Sequence, residues 1–177
     1  MFTRRSIRLK GYDYTQNGAY FITICTYNRL PMFGEIVEDG MRLNQHGKIV
    51  VSCWDEIPQH YPNVELDVFV VMPNHVHGIV IITTPHDKPN LPVEAQYIAP
   101  LRGATPNNVA PNSLGSIVRS FKGAVTRNIN RLPNASNNPI WQRNYYEHII
   151  RNEASLDVIR NYVVNNPAKW AEDSLNI

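Results

Sequence analysis

The most constraining feature of the sequence is a pair of apolar runs that meet at a Pro-Asn turn. The first run is Val64–Met72, the turn is Pro73-Asn74, and the second run is His75–Ile82. A two-residue connection joins only antiparallel strands, so the runs are predicted to form a hairpin. Because side chains alternate along a strand, His75 and His77 point to one face. Two adjacent imidazoles can hold one divalent metal and leave positions open for a substrate.

The surroundings of this His-x-His pair narrow the kinds of metal site that fit. No Asp-x-His follows it, which argues against a two-metal hydrolase, and no third alternating histidine follows, which argues against a histidine-triad nucleotide hydrolase. A chain of 177 residues is also too short for an eight-stranded α/β barrel. Histidine on a strand is equally an ordinary buried residue, so the pair alone leaves both interpretations open.

The other segments predict an α+β fold. Their order is strand, hairpin, helix, strand, strand, helix, strand, helix, which is the β-α-β-β-α-β pattern of a ferredoxin-like antiparallel sheet with an added hairpin and a C-terminal helix. Apolar and turn residues place the segments as follows: a strand at 19–27, a hairpin at 34–44, a helix from the N-cap Asn44 to Pro58, a helix at 113–131, a strand at 140–150, a helix from the N-cap Asn152 to about Asn165, and a short helix at 168–175.

Alternation along the first strand of the central hairpin predicts one continuous apolar face. That face consists of Val64, Leu66, Val68, Val70 and Met72.

Composition indicates a single domain spanning residues 1–177, with a flexible proline-rich insertion at about 84–112. No apolar run approaches the 18 residues that a membrane helix needs, and Cys25 and Cys53 lie in apolar patterns typical of reduced thiols. These features predict a cytoplasmic protein without a membrane partner. The net charge of +2 gives no sign of nucleic-acid binding by bulk charge, so local clusters must carry any such signal.

Two basic segments supply local clusters of that kind. The helix at 113–131 carries four cations and no acidic residue, and the N-terminal arm carries four more. Such clusters form either an ordinary solvated surface or a surface that contacts phosphates. The cations are Arg119, Lys122, Arg127 and Arg131 in the helix, and Arg4, Arg5, Arg8 and Lys10 in the arm.

The last helix supplies possible partners for the histidines. Tyr162 and Asn166 are four residues apart and share a helix face. A tyrosine phenol can act as a covalent nucleophile, and an asparagine carboxamide oxygen is an acceptable ligand for Mg²⁺ or Mn²⁺. Pro167 disfavours α geometry at Asn166, so this alignment is expected to be approximate. On the residues alone, the favoured interpretation is that Tyr162 is an ordinary half-buried aromatic residue and Asn166 a helix C-cap.

Three motifs together resemble a known family. They are His75-Val76-His77 after Met72-Pro73-Asn74, the segment WQRNYYEHIIR at 141–151, and YVVNNP at 162–167. In this order and approximate spacing they resemble the single-tyrosine HUH transposases, most closely the REP-associated tyrosine transposases. The resemblance implies a ferredoxin-like fold, His75 and His77 as metal ligands, Tyr162 as nucleophile and Asn166 as the third ligand, although that last position is often Gln in the wider family.

The resemblance further implies an enzyme that cleaves and rejoins single-stranded DNA beside hairpins. Tyr162 would form a 5′-phosphotyrosine intermediate with the help of Mg²⁺ or Mn²⁺. The expected partner is single-stranded or hairpin DNA in the nucleoid, and the expected assembly is a monomer or a homodimer. The residues expected to bind DNA are Arg119, Lys122, Arg127, Trp141, Arg143, Tyr146, His148 and Arg151.

Other interpretations remain open at this stage. Tyr145 and Tyr146 are rival nucleophiles, but each is followed four residues later by isoleucine rather than by a metal ligand. A domesticated protein that binds hairpin DNA without cleaving it would need none of the set His75, His77, Tyr162 and Asn166, and the intact set argues against this alternative. A metal-dependent hydrolase of small phosphoesters would use water as its nucleophile and would not need the tyrosine.

Overall fold

A computed structural model describes residues 12–38, 40–83, 110–133, 135 and 138–176. The proline-rich insertion lies almost wholly outside the described residues, as do the basic N-terminal arm and Asp39 of the predicted hairpin turn. The described elements are β1 Gly18–Cys25, β2 Gly34–Val37, β3 Gly40–Leu43, α1 Gln45–Asp55, α2 Ile57–His60, β4 Val64–Met72, β5 His75–Ile82, α3 Leu114–Asn130, β6 Tyr146–Ile150 and α4 Glu153–Val164. Two 3₁₀ segments, Tyr27–Arg29 and Pro167–Glu172, complete the described part of the chain.

The main sheet has the strand order β4-β5-β1-β6, with every pairing antiparallel. Without the separate β2-β3 hairpin, this is the ferredoxin-like arrangement that the order of the elements predicted. The last strand is shorter than expected because the 140–145 segment does not join the sheet except through a single bridge between Trp141 and Thr26.

The two faces of the sheet are buried against different helices. Val76 and Val80 of β5 belong to the larger core, which α1 and α3 cover. Ile79 belongs to a smaller core with Leu156 and Val163 of α4. Since His75 and His77 alternate with Val76, the histidines lie on the face that α4 covers.

Helix boundaries follow from the capping residues. The side chains of Asn44, Ser113 and Asn152 each accept a hydrogen bond from the backbone N–H three residues later, at 2.8–3.3 Å. The proline expected to end α1 does not do so. Instead α1 ends at Asp55, and Pro58 lies in the first turn of α2, where its missing N–H removes no helical hydrogen bond.

The predicted continuous apolar face of β4 is wrong, because a bulge interrupts the strand. Leu66 is opposite Val80 and Phe69 is opposite Gly78, so two residues, Asp67 and Val68, face the single Ile79. The extra residue reverses the alternation beyond that point. The first part of the strand therefore packs Val64 and Leu66 into the larger core, whereas Val68 and Val70 pack under α4.

None of the described helices is long and apolar enough to cross a membrane. Cys25 and Cys53 are free thiols, as predicted; Cys53 is buried and Cys25 is half-buried.

Candidate active site

The two histidines lie side by side at the start of β5, as alternation predicted. Both are buried, with 0% of His75 and 2% of His77 exposed. Their Nε2 atoms are 3.0 Å apart. Burial lowers the pKa of His75 to about 4. Burial, together with the proximity of His75, lowers the pKa of His77 to about 3. Both rings are therefore neutral at pH 7, which is the form that binds a metal.

The other ring nitrogen of His75 is fixed by Asn74 of the turn. Nδ1 of His75 lies 2.8 Å from Oδ1 of Asn74, whose Nδ2 donates to the carbonyl oxygens of Arg29 and Leu175 at 3.2 and 2.8 Å. Those two bonds orient the amide so that its oxygen faces the ring and can only accept. The proton of His75 is therefore on Nδ1, and Nε2 presents a lone pair to the site.

His77 has an equivalent support from the neighbouring strand. Its Nδ1 lies 2.8 Å from the hydroxyl oxygen of Thr23, the residue paired with it on β1. A hydroxyl can accept from Nδ1–H, and this tautomer leaves Nε2 of His77 free as a ligand. Second hydrogen bonds of this kind orient most metal-binding histidines. The sequence did not reveal Thr23 or Asn74 as supports, since each depends on a contact across strands or around a turn.

Tyr162 projects from α4 to the histidine pair. Its hydroxyl lies 3.4 Å from Nε2 of His77, and its ring packs edge-on against His77 and Phe21 with centroids 5.2 and 6.0 Å away. The residue is 47% exposed, so a substrate can reach it. Burial of its inner part raises the pKa of the phenol, the negative charge of Asp173 raises it further, and the Asn166 side chain lowers it. The free phenol is therefore protonated at neutral pH.

The helix that carries Tyr162 is anchored at the bulge of β4. The guanidinium of Arg160 donates from Nε and Nη2 to the Asp67 carboxylate, at distances of 2.6–3.2 Å. Asp67 alternates with Val64 and Leu66 of the larger core and therefore lies on the α4 face, where this paired contact forms. Leu156 and Val163 fix the same helix by packing on the sheet. The position of Tyr162 is therefore fixed both by the ion pair and by these apolar contacts.

Asn166 differs from expectation in its backbone. Its φ and ψ are −61° and −41°, so it keeps α geometry although Pro167 follows it. The restriction before proline is a preference, and the chain here continues from α4 directly into the 3₁₀ segment. The i, i+4 relation to Tyr162 is therefore retained. Asn166 is 3% exposed, and its Oδ1 is buried without a hydrogen-bond partner among the described residues.

Asp173 is a member of the site that the sequence did not indicate. Its Oδ2 lies 3.9 Å from Nε2 of His75, and one potential ligand atom each of His75, His77 and Asp173 falls within 4.8 Å of the others. The residue follows the 3₁₀ segment, beyond any helical or strand periodicity. An isolated aspartate in such a position carries no sequence signal, and only the fold of the C-terminal segment brings it to the histidines.

The exposed residues among those expected to bind DNA fall into three groups. Tyr146 and His148 lie on β6 and are exposed on the histidine face, since Tyr146 pairs with Thr23 and His148 with Phe21. Tyr146 is two strands from His77, or about 10 Å. Arg143 and Arg151 flank β6 and are exposed. The third group, Arg119 and Arg127, is exposed on α3, which covers the opposite face of the sheet.

Two residues of the expected DNA-binding set point inward. Trp141 is buried between Phe33 and Phe121, with ring centroids 5.1 and 5.9 Å away, so its faces are not open to a base. The ammonium of Lys122 donates to the carbonyl oxygens of Gln142 and Arg143, and burial lowers its pKa to about 8. Both side chains therefore support the 141–143 segment from within. Of the rival tyrosines, Tyr145 packs against the larger core.

Comparisons with known proteins agree with this architecture. The chain is 46% identical over 175 residues to an uncharacterized protein of Haemophilus influenzae, covering 98% of this chain and 93% of that protein. It is 25% identical over 157 residues to a protein of the same organism with the provisional name REP-associated tyrosine transposase, covering 89% and 74% of the two chains. No family model matches the chain.

Among solved structures, a similar one is that of a REP-associated tyrosine transposase bound to a REP hairpin. The two superpose with a TM-score of 0.60 at 19% identity, over 96% of this chain and 74% of the other. At this identity the superposition shows a shared fold. This shared fold and the sequence similarity to the provisionally named relative support a relationship between this chain and the REP-associated tyrosine transposases.

Proposed function

We propose that this protein is a metal-dependent transesterase that cleaves and rejoins single-stranded DNA beside hairpins, through a 5′-phosphotyrosine at Tyr162. The observation that carries the proposal is the 3.4 Å distance between the Tyr162 hydroxyl and Nε2 of His77, within a pair of buried neutral histidines. A partly exposed tyrosine beside two potential metal ligands is an arrangement that can support metal-assisted covalent attack on a phosphodiester.

The residues present fit a divalent cation. His75 and His77 direct nitrogen lone pairs to one point, and the buried, unpartnered Oδ1 of Asn166 is available as an oxygen ligand. These residues would hold Mg²⁺ or Mn²⁺. When bound, such an ion supplies positive charge that neutralises a phosphate oxygen and lowers the pKa of a nearby phenol.

Tyr162 supplies the nucleophile in the proposed reaction. Its oxygen forms a bond to phosphorus while the bond from phosphorus to the 3′-oxygen of the preceding nucleotide breaks. The phenolic proton is lost, and the departing oxygen takes up a proton to become a free 3′-OH. One phosphodiester is replaced by one phosphotyrosine, so a 3′-OH can reverse the step and join strands without a further energy source.

The open side of the site suggests a path for the single strand. Helix α4 packs over β4, whereas Tyr146 and His148 on β6 remain exposed on the same face as Tyr162. We propose that unpaired bases contact these two rings and that Arg143 and Arg151 contact phosphates. The hairpin is proposed as partner because the structurally similar transposase was solved with a REP hairpin. Arg119 and Arg127 offer a second phosphate contact on α3.

The test is a denaturing gel of full-length protein with hairpin oligonucleotides that carry single-stranded flanks, including hairpins beside its own gene. A 3′ label follows the fragment joined to the protein, and a 5′ label follows the fragment released with a 3′-OH. We expect an adduct with Mn²⁺ or Mg²⁺ that is absent in EDTA, in Tyr162→Phe and in His77→Ala. The matched control Tyr146→Phe, on the same face about 10 Å away, should keep the adduct.

Two outcomes would overturn this assignment. An adduct that persists in Tyr162→Phe would show that another residue is the nucleophile. If wild-type protein binds the hairpin in a native gel but forms no adduct with either metal, the alternative of a protein that binds hairpin DNA without cleaving it would be supported.

A further inference from the structure

The segment after α4 is fixed across the histidine pair by contacts from separate parts of the chain. Asn74 donates to the carbonyl oxygen of Leu175 at 2.8 Å, and Arg29 donates to that of Ser174 at 3.4 Å. The ring of Trp170 lies 5.9 Å from that of His75. The position of Asp173 between these contacts is therefore determined by the fold.

The Asp173 carboxylate has one satisfied oxygen and one unsatisfied oxygen. Oδ1 accepts a hydrogen bond from the backbone N–H of Leu175 at 2.7 Å. Oδ2 is buried without a partner among the described residues, and the side chain is 6% exposed. A carboxylate oxygen buried without a donor is costly, so an atom of this kind indicates a missing positive partner.

The atom that Asp173 faces is also an acceptor. Because Nδ1 of His75 carries the proton, Nε2 of His75 presents its lone pair toward Oδ2 at 3.9 Å. Two lone pairs that face each other in a buried place repel unless a cation lies between them. Ligands at about 2.1 Å in an octahedral site are about 3.0 Å apart when adjacent and about 4.2 Å apart when opposite. The separation of 3.0 Å between the imidazole Nε2 atoms matches adjacent ligands, and that of 3.9 Å from His75 to the carboxylate lies between the two values. All three residues offer ligand atoms within 4.8 Å of one another.

We infer that Asp173 is a direct ligand of the metal held by His75 and His77. The inference rests on the proposed function insofar as that function places a divalent cation on the two histidines. Asp173 adds an anionic oxygen to a set that is otherwise neutral, and this favours the hard cations Mg²⁺ and Mn²⁺ over softer metals. The metal site thus draws its ligands from β5 and from the C-terminal segment.

The experiment is a calorimetric titration of full-length protein with Mn²⁺ in the absence of DNA. Asp173→Asn keeps the shape and the hydrogen bond from Leu175 but removes the anionic ligand. We expect its Kd for Mn²⁺ to rise at least tenfold. Asp157→Asn is the matched control, because this exposed aspartate on α4 makes the same change in net charge. Its Kd should change less than twofold. Equal affinities of Asp173→Asn and wild type would overturn the inference.

A second measurement needs no variant. In wild-type protein titrated with Mg²⁺, the backbone amide resonance of Leu175 should shift with the same midpoint as the histidine ring resonances, because its N–H donates to Asp173. Histidine shifts without a Leu175 shift would overturn the inference. The two proposals can fail separately. If the site binds Mn²⁺ through Asp173 but forms no DNA adduct, only the proposed cleavage reaction is refuted. If the adduct forms but Asp173→Asn binds Mn²⁺ as tightly as wild type, only the assignment of Asp173 as a metal ligand is refuted.

Discussion

Replacing Gly78 by alanine is expected to destabilise the protein by a clash with two stacked aromatic rings, chiefly that of Trp54. A Cβ atom at Gly78 would lie 2.6 Å from Cη2 and 2.7 Å from Cζ2 of Trp54, and 3.0 Å from Cδ2 of Phe69. Normal carbon contacts are about 3.5–4.0 Å, so the Trp54 ring must move by about 1 Å. That ring is buried and stacked on Phe69 at 4.2 Å, so it has no free space to enter.

The cost follows from overpacking a filled core. Such insertions cost about 1–3 kcal/mol, and the lower entropy of an unfolded chain with alanine offsets about 0.4–1 kcal/mol. A net loss of about 1–2 kcal/mol lowers the Tm of a chain of this size by about 2–8 °C. The matched control is Gly123→Ala in α3, where the nearest atom to a Cβ is Nη1 of Arg127 at 3.5 Å. There, alanine should leave the Tm unchanged or raise it, because it favours helix.

Thermal unfolding of the variants tests the magnitude, and a double-mutant cycle tests the cause. Trp54→Phe deletes the six-membered ring that meets the new methyl group, so Gly78→Ala should cost at least about 1 kcal/mol less in that background. The reasoning is refuted if the two substitutions are additive, or if Gly78→Ala is as stable as Gly123→Ala.

The remaining predictions concern the site and its supports. Thr23→Val removes the hydrogen bond to His77 and should weaken Mn²⁺ binding by about 10- to 100-fold in calorimetry, and unchanged affinity would contradict this role. In EDTA the unfolded histidines bind protons below about pH 6.5, whereas His75 and His77 in the folded protein do so only near pH 4 and 3. The free energy of unfolding should therefore fall as the pH is lowered below about 6.5, by roughly 1 kcal/mol per pH unit or more for the pair, and a variant with both replaced by glutamine should lose this dependence in urea titrations. Lys122→Ala should lower the Tm by several degrees while Arg119→Ala leaves it unchanged; equal effects would show that Lys122 has no structural role.

Local patterns were sufficient for the main elements and for the histidine pair. The Pro73-Asn74 turn allows only one connection, and alternation then places His75 and His77 on one face. Helical spacing likewise linked Tyr162 with Asn166, and the backbone of Asn166 keeps that relation more closely than the following proline suggested. These features depend on neighbours in sequence, which is why they could be predicted.

Features that depend on tertiary contact were not predicted. The bulge at Asp67 follows from the pairing of β4 with β5 and from the ion pair between Asp67 and Arg160. Neither interaction can be recognised from the amino-acid composition of the strand. Aromatic and basic residues near motifs suggested DNA contacts, but composition does not distinguish an exposed ring from Trp141 in the core. Asp173 reaches the histidines only because the chain returns after α4.

The bulge in β4 has a consequence for how this protein tolerates changes in chain length. The core under α1 and α3 receives Val64 and Leu66 from one side of the bulge and Phe69 and Val71 from the other, because the two residues between them, Asp67 and Val68, both lie on the α4 face. Deleting Val68 would therefore restore regular alternation and leave Phe69 and Val71 in that core. Deleting Val70 instead would turn Val71 out of that core, so a one-residue deletion should be tolerated better at the bulge than elsewhere in β4.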